Sequence, residues 1–228
     1  MRAPVVAAAI AGAWTVPALA PLVPPLCTAL GVARRLPREG AVGLTFDDGP
    51  HPEGTPAVLT ELERAGARAT FFLVGEQVRR FPALAAELVA AGHEVALHGQ
   101  RHRVQLRLTP GQVAEDLDRG AESIARATGR EPALYRPPLG IFSPAGLALV
   151  RGRGLRPLLW SRWGRDWSAR ATPESIAATV TRDVGAGDVL LLHDADHYSA
   201  AGSHRRTAAA LPRVLAELER RGLRAAPA

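Results

Sequence analysis

From residue 39 to the end of the chain, short β-branched or apolar runs alternate with longer amphipathic stretches. The runs Ala41–Phe46, Ala69–Val74, Glu94–His98, Ala133–Arg136, Arg156–Trp160 and Asp188–His193 read as strands. Between and after them, Pro56–Ala65, Glu76–Ala91, Pro110–Thr128, Ser143–Arg151, Pro173–Val184 and Arg206–Arg221 read as helices. Gly66, Gly92, Gly129, Gly154 and Gly222 follow the ends of five of these, where a helix closes on a left-handed residue that glycine adopts at little cost. Thr172-Pro173-Glu174-Ser175 supplies an N-cap, a proline at the first helical position and an acid in the first turn. This alternation predicts an α/β fold built on a parallel sheet or barrel.

The residues before this region follow a different rule. Ala3–Ala33 form a run of 31 uncharged residues between Arg2 and the cluster Arg34, Arg35 and Arg38, longer than the roughly 20 apolar residues that span a bilayer. Residues 1–38 are therefore expected to be an apolar signal or membrane-anchor segment. Pro17, Pro21, Pro24 and Pro25 interrupt any single helix, so a cleaved signal peptide, a kinked anchor and a re-entrant hairpin all fit. Ala18-Leu19-Ala20 has the form of a cleavage site, with Pro21 directly behind it disfavouring cleavage. The arginines on the C-terminal side favour a cytoplasmic domain by the positive-inside rule, against the export reading.

A composition of 47% hydrophobic and 22% charged residues excludes disorder and predicts a packed domain over residues 39–228. The single cysteine, Cys27, excludes an internal disulfide. The formal charge of +6 comes from arginine alone, since no lysine occurs, and an arginine bias spread over the chain speaks against a nucleic-acid partner.

Polar residues fall where the strands end. Thr45-Phe46-Asp47-Asp48-Gly49-Pro50 follows the first, His98-Gly99-Gln100-Arg101-His102 the third, and Arg136-Pro137-Pro138-Leu139-Gly140 the fourth. Asp166-Trp167 follows the fifth and His193-Asp194 closes the sixth. In a parallel barrel all carboxyl ends share one face, the face on which barrel enzymes keep their chemistry. Taken singly, each motif also has a structural reading: a capped turn at the aspartates, a hydrogen-bonded histidine pair, a rigid Arg-Pro-Pro turn, a buried apolar strand.

In this order the motifs resemble the polysaccharide deacetylase family, the carbohydrate esterases with a chitooligosaccharide deacetylase homology domain. That family's motifs run Thr-Phe-Asp-Asp-Gly, His-x-x-x-His, Arg-x-Pro, Asp-x-x-Asp-Trp and Leu-x-His, and each has a counterpart between residues 40 and 221. The resemblance implies a distorted (β/α) barrel, here of six or seven parallel strands, and a hydrolase that removes acetyl groups with one divalent metal. It assigns Asp48, His98 and His102 as metal ligands, one carboxylate and two imidazoles leaving positions open for water and substrate. Zinc is the family's usual metal; cobalt, nickel, manganese and iron suit the same ligands. The resemblance further assigns Asp47 as general base, Arg136 as its orienting partner, and His193 as general acid with its pKa raised by Asp166. A backbone N–H near Leu139, just after Pro138, would hold the oxyanion, and Trp167 and Leu192 would wall the acetyl pocket.

Three departures from the family pattern stand out. Gly99 replaces the usual serine or threonine after the first metal histidine, Leu139 stands where an aromatic residue is usual, and Trp163 stands at the first aspartate of the fourth motif. Trp160 reads as core or site wall and Trp163 as a sugar-stacking candidate, while Asp196, His197 and Tyr198 form either a second metal cluster or a solvated loop. Arg101, Arg103, Arg107, Arg162, Arg165 and Arg170 fall on loops around the expected site and would suit an anionic carbohydrate. The expected activity is deacetylation of an N-acetylated cell-envelope polysaccharide, peptidoglycan or another N-acetylglucosamine polymer, by a monomer with an extracytoplasmic domain. The alternatives are deacylation of a polyprenyl-phosphate-linked sugar and a non-catalytic wall-binding module.

Overall fold

The structure, a computed structural model, describes residues 16–228. Residues 3–15 of the uncharged run lie outside the described residues. The strands are β1 (Ala41–Asp47), β2 (Thr70–Leu73), β3 (Glu94–Leu97), β4 (Leu134–Tyr135), β5 (Arg156–Pro157), β6 (Arg162–Trp163), β7 (Val189–His193) and β8 (Arg224–Ala226). The helices are α1 (Pro24–Ala29), α2 (Gly54–Arg64), α3 (Gly75–Arg80), α4 (Pro82–Ala90), α5 (Pro110–Thr128), α6 (Pro144–Gly152), α7 (Pro173–Val180) and α8 (Ser203–Arg220).

All strand pairings are parallel, in the order β5-β4-β3-β2-β1-β7-β6, with β8 paired to the start of β1. This is the distorted parallel barrel that the resemblance implies, one of the two parallel arrangements the alternation allows, with β6 and β8 added to the six strands read from sequence. Both are short and lack an apolar run, so their pairing follows from their neighbours. Every residue of β1 is buried, as expected of a central parallel strand covered on both faces.

Helix ends obey local chemistry. Thr109 and Thr172 form capping boxes ahead of α5 and α7. The five glycines singled out in the sequence all have φ between 58° and 81°. The helix expected over Glu76–Ala91 is broken in two at Phe81, whose backbone (φ −131°, ψ 58°) is forced out of the helical region by Pro82. On α5 the buried positions Val113, Leu117, Gly120 and Ile124 repeat at four- and three-residue steps and bring Asp116 with them toward the sheet.

The barrel does not close through strand pairing, and the chain before β1 fills the seam. Ala33 bridges in parallel to Leu158 beyond β5, and Arg35 bridges antiparallel to Asp188 ahead of β7. Ala20, Cys27 and Val32 are buried in the main hydrophobic core. Among the described residues no helix is long and apolar enough to cross a membrane.

Candidate active site

The carboxyl ends of β1, β3, β4 and β7 surround a cavity of about 300 Å³. Asp47 and Asp48 both line it, which a regular strand would forbid because consecutive side chains face opposite sides. Asp48 escapes that alternation by adopting φ 79°, a left-handed conformation that aspartate tolerates better than most residues.

Asp48 Oδ1 lies 3.4 Å from both His98 Nε2 and His102 Nε2, is buried, and has no hydrogen-bond partner among the described residues. His98 Nδ1 donates to the Arg136 carbonyl at 2.7 Å, which leaves the lone pair on Nε2 and points it at Asp48. Burial would raise the Asp48 carboxyl, but the neighbouring His98, His193 and His102 imidazoles draw it down to about 2. Burial lowers His102 to about 4, against the opposing charge of Asp48. An ionised carboxylate and a neutral imidazole are the states that metal ligation requires. The three residues fit a divalent cation: an orphaned buried oxygen faces two imidazole nitrogens, with the ligand atoms within 4.8 Å of one another.

The loop from His98 to His102 is held from two sides. Asp116 of α5 accepts from Gln100 N at 2.9 Å, Arg101 N at 3.3 Å and Arg103 Nη2 at 3.0 Å. Gly99 has φ 84°, and a Cβ there would lie 2.8 Å from Asp116 Oδ2. Glycine at this position is therefore matched to Asp116, whose carboxylate supports the loop where the family pattern has a serine or threonine. Asp116 was not singled out from sequence; its place on the buried face of α5 was the available signal.

Arg136 is fully buried, and each of its three guanidinium nitrogens donates a hydrogen bond. Nη1 donates to Asp47 Oδ1 at 2.6 Å and to Thr45 Oγ1 at 2.9 Å, Nε to Leu158 O and Nη2 to Leu159 O at 3.1 Å each, with Phe72 3.9 Å beneath the guanidinium. Asp47 is thus held by one fixed, charge-assisted hydrogen bond, leaving Oδ2 on the side of His98, 3.9 Å from Nε2. Across the cavity, Asp166 Oδ1 meets His193 Nδ1 at 2.9 Å, and its Oδ2 accepts from His193 N and Thr207 Oγ1, each at 2.7 Å. Burial pulls the His193 imidazole down, but the charge and hydrogen bond of Asp166, aided by Asp48 and Asp47, win and push it up to about 10. His193 therefore carries its proton at neutral pH.

Trp160, Trp163 and Trp167 form one wall, with successive ring centroids 6.1 Å and 5.3 Å apart and Trp167 edge-on to His193. Trp160 belongs to both core and wall, being 6% exposed. Leu139 (φ 59°) and Gly140 form the rim, and Leu139 is exposed. Two expected substrate contacts, Leu192 and Pro138, are not among the residues that line the cavity. Leu192 is fully buried and Leu191 lines the cavity instead, because residues 191 and 193 share one face of β7 and residue 192 takes the other. Pro138 is buried, and Leu139 and Gly140 present that turn to the cavity.

Asp196, His197 and Tyr198 do not form a metal cluster with one another. Asp196 joins His51 and His204, with contacts of 3.2 Å to His51 Nε2 and to His204 Nδ1. His51 Nδ1 accepts from Glu53 N and Gly54 N at the start of α2, so its proton sits on Nε2 and faces Asp196. That nitrogen has no lone pair for a cation, and the group acts as a clamp joining α2 to the start of α8. His197 lies 3.3 Å from the Pro50 carbonyl. Tyr198 lines the cavity beside His102.

Comparison with known proteins agrees with this geometry. The family model for polysaccharide deacetylase matches residues 34–158. A peptidoglycan-N-acetylglucosamine deacetylase from Bacillus cereus is 35% identical over 189 residues, covering 82% of this chain and 85% of the relative. A chitooligosaccharide deacetylase from a Bradyrhizobium species is 36% identical over 194 residues, covering 82% and 88%. A crystal structure of a peptidoglycan N-acetylglucosamine deacetylase superimposes with a TM-score of 0.80 at 26% identity, over 86% of this chain and 89% of the other.

Proposed function

The chain belongs to the polysaccharide deacetylase family, a family of hydrolases, and from that premise we propose that it removes acetyl groups from N-acetylglucosamine units of a cell-envelope polysaccharide such as peptidoglycan. The observation that carries this reading is the convergence on one cavity of a carboxylate–imidazole–imidazole ligand set, a second carboxylate and a protonated imidazole. Asp48, His98 and His102 would hold one divalent metal, for which we propose zinc. When bound, such an ion acts as a Lewis acid toward the amide carbonyl and makes water a better nucleophile. Asp47, aimed by Arg136, takes the proton of the attacking water; His193 gives its proton to the departing amine; the backbone N–H at Leu139 and the aromatic wall receive the acetyl group. Two carboxylates and an imidazolium with different protonation states divide the acid and base work. A wall-binding module would need neither the oriented base nor the protonated acid.

We also propose that the uncharged run associates the chain with the membrane, with the domain acting as an extracytoplasmic monomer. Among the described residues, Leu19, Leu22 and Val23 are exposed and available for this, whereas Ala20, Cys27 and Val32 serve the core. A second reading is supported by one observation. Pro21 packs so closely on the rim that a Cβ on Gly140 would meet its Cγ at 2.9 Å, and its chain neighbour Leu22 and the rim residue Leu139 are both exposed. An apolar rim suits a polyprenyl-phosphate-linked sugar, and Arg165, whose guanidinium carbon lies 5.2 Å from the Trp163 ring centroid in the cavity wall, suits its phosphate. The test is acetate release by the full chain from N-acetylglucosamine oligomers and from a lipid-linked aminosugar, with bound metal quantified. Activity on oligomers supports the polymer reading, and activity on the lipid-linked sugar alone supports the second. His98→Ala is expected to lose metal and turnover together; metal retained at full stoichiometry refutes the ligand assignment.

A further inference from the structure

The two imidazoles of the ligand set are oriented by different means. His98 is held by its hydrogen bond to the Arg136 carbonyl, the usual way a ligating histidine is aimed. Among the described residues, His102 has no such acceptor. Its ring instead lies flat against Tyr198, with centroids 4.2 Å apart and planes 11° from parallel. Tyr198 is itself pinned, its hydroxyl donating to Glu76 Oε1 at 2.7 Å and accepting from Gln77 Nε2 at 3.1 Å.

Both anchors stand in the first turn of α3, and the same turn grips the backbone of the histidine loop. Gly75 N donates to Gly99 O and Glu76 N to Gln100 O, each at 2.9 Å. The loop is thus fixed by α3 through its carbonyls, and the His102 ring is fixed by α3 through Tyr198. A ring that can rotate about its χ angles holds a ligand nitrogen poorly, and a planar partner that cannot move removes that freedom.

We propose that Tyr198 is a positioning residue for the metal site, fixing the plane of His102 so that Nε2 faces Asp48. The inference rests on the ligand assignment under Proposed function. It also gives a function to the tyrosine in the Asp196-His197-Tyr198 run, which does not itself ligate.

The test is the zinc affinity of the full chain, measured by competition with a chromophoric chelator, together with the visible spectrum of the cobalt-substituted protein. Removing an outer partner of a metal ligand typically weakens affinity by about 10- to 100-fold, so Tyr198→Ala is expected to fall in that range and to alter the cobalt spectrum. Tyr198→Phe keeps the stacked face and is expected to bind zinc more tightly than Tyr198→Ala. At saturating zinc, Tyr198→Ala is expected to recover most of its turnover with KM little changed. Wild-type zinc affinity in Tyr198→Ala overturns the inference. A KM raised equally at all zinc concentrations, with affinity unchanged, also overturns it and makes Tyr198 a sugar platform. Should Tyr198→Ala fail to fold, Tyr198→Leu retains bulk without a planar face and is read by the same criteria. A wild-type chain that binds no zinc or cobalt overturns the ligand assignment and this inference together, whereas a metal-binding wild type with an indifferent Tyr198→Ala overturns this inference alone.

Discussion

Asp166→Asn isolates the interaction that keeps His193 protonated. The Asp166 carboxylate meets the imidazole at 2.9 Å in a site where Asp166 is fully buried. Opposite unit charges about 4 Å apart at an effective dielectric of about 20 attract by about 4 kcal/mol. At 1.36 kcal/mol per pK unit this is about three units. His193 is pushed up to about 10 in the metal-free protein, and a cation on Asp48 draws that value down. The wild-type alkaline limb of kcat/KM is thus expected between the ordinary 6.5 and about 10. The sign follows from the role: the acid works protonated, so activity falls as pH rises through its pKa, and removing Asp166 moves that fall to lower pH. The rate deficit of Asp166→Asn should be small below the variant's own limb, about three units under the wild-type one, and widen about tenfold per pH unit above it toward a plateau of about 1,000-fold, since three pK units separate the limbs. The assay is a pH profile of acetate release at saturating metal, with thermal unfolding recorded alongside because Asp166 also accepts from His193 N and Thr207. A deficit constant across pH, or an alkaline limb that does not move, refutes the assignment of His193 as an acid controlled by Asp166.

Two further outcomes are expected. Arg136→Met leaves the Asp47 carboxylate buried without its cation and should cost about 3–5 kcal/mol of stability by urea unfolding, as well as activity; a loss under about 1 kcal/mol would show that Asp47 is held by other groups. Deleting residues 1–15 should leave soluble-substrate activity and stability intact, whereas deleting 1–38 removes the buried Cys27 and Val32 and the Ala33 and Arg35 bridges across the seam, at a cost of at least about 3 kcal/mol. Equal stability of the two truncations would show that the seam contributes nothing.

What the sequence by itself determined was the set of groups that reach the carboxyl edge of the sheet. Strand ends and helix ends are local: β1 runs out at Asp47, Gly129 closes α5 in the left-handed region, and Thr172 caps α7 through its own third neighbour. Once the strands are parallel, residues at their ends must share one edge, so Asp47, Asp48, His98, Arg136 and His193 could be collected before any contact was known. Two details were equally local. Alternation from His193 places Leu191, not Leu192, in the cavity, and Pro82 ends one helix and begins another.

The rest was decided by contacts between distant parts of the chain, which no local period encodes. Asp116 compensates for Gly99 only because α5 packs under the histidine loop. Tyr198 reaches His102 only because the segment after β7 folds back over α3. The residues after Gly31 read as the end of an apolar run, yet Ala33 and Arg35 seal the barrel because short strands on either side leave backbone groups unpaired there, and a buried unpaired N–H or C=O is too costly to leave open.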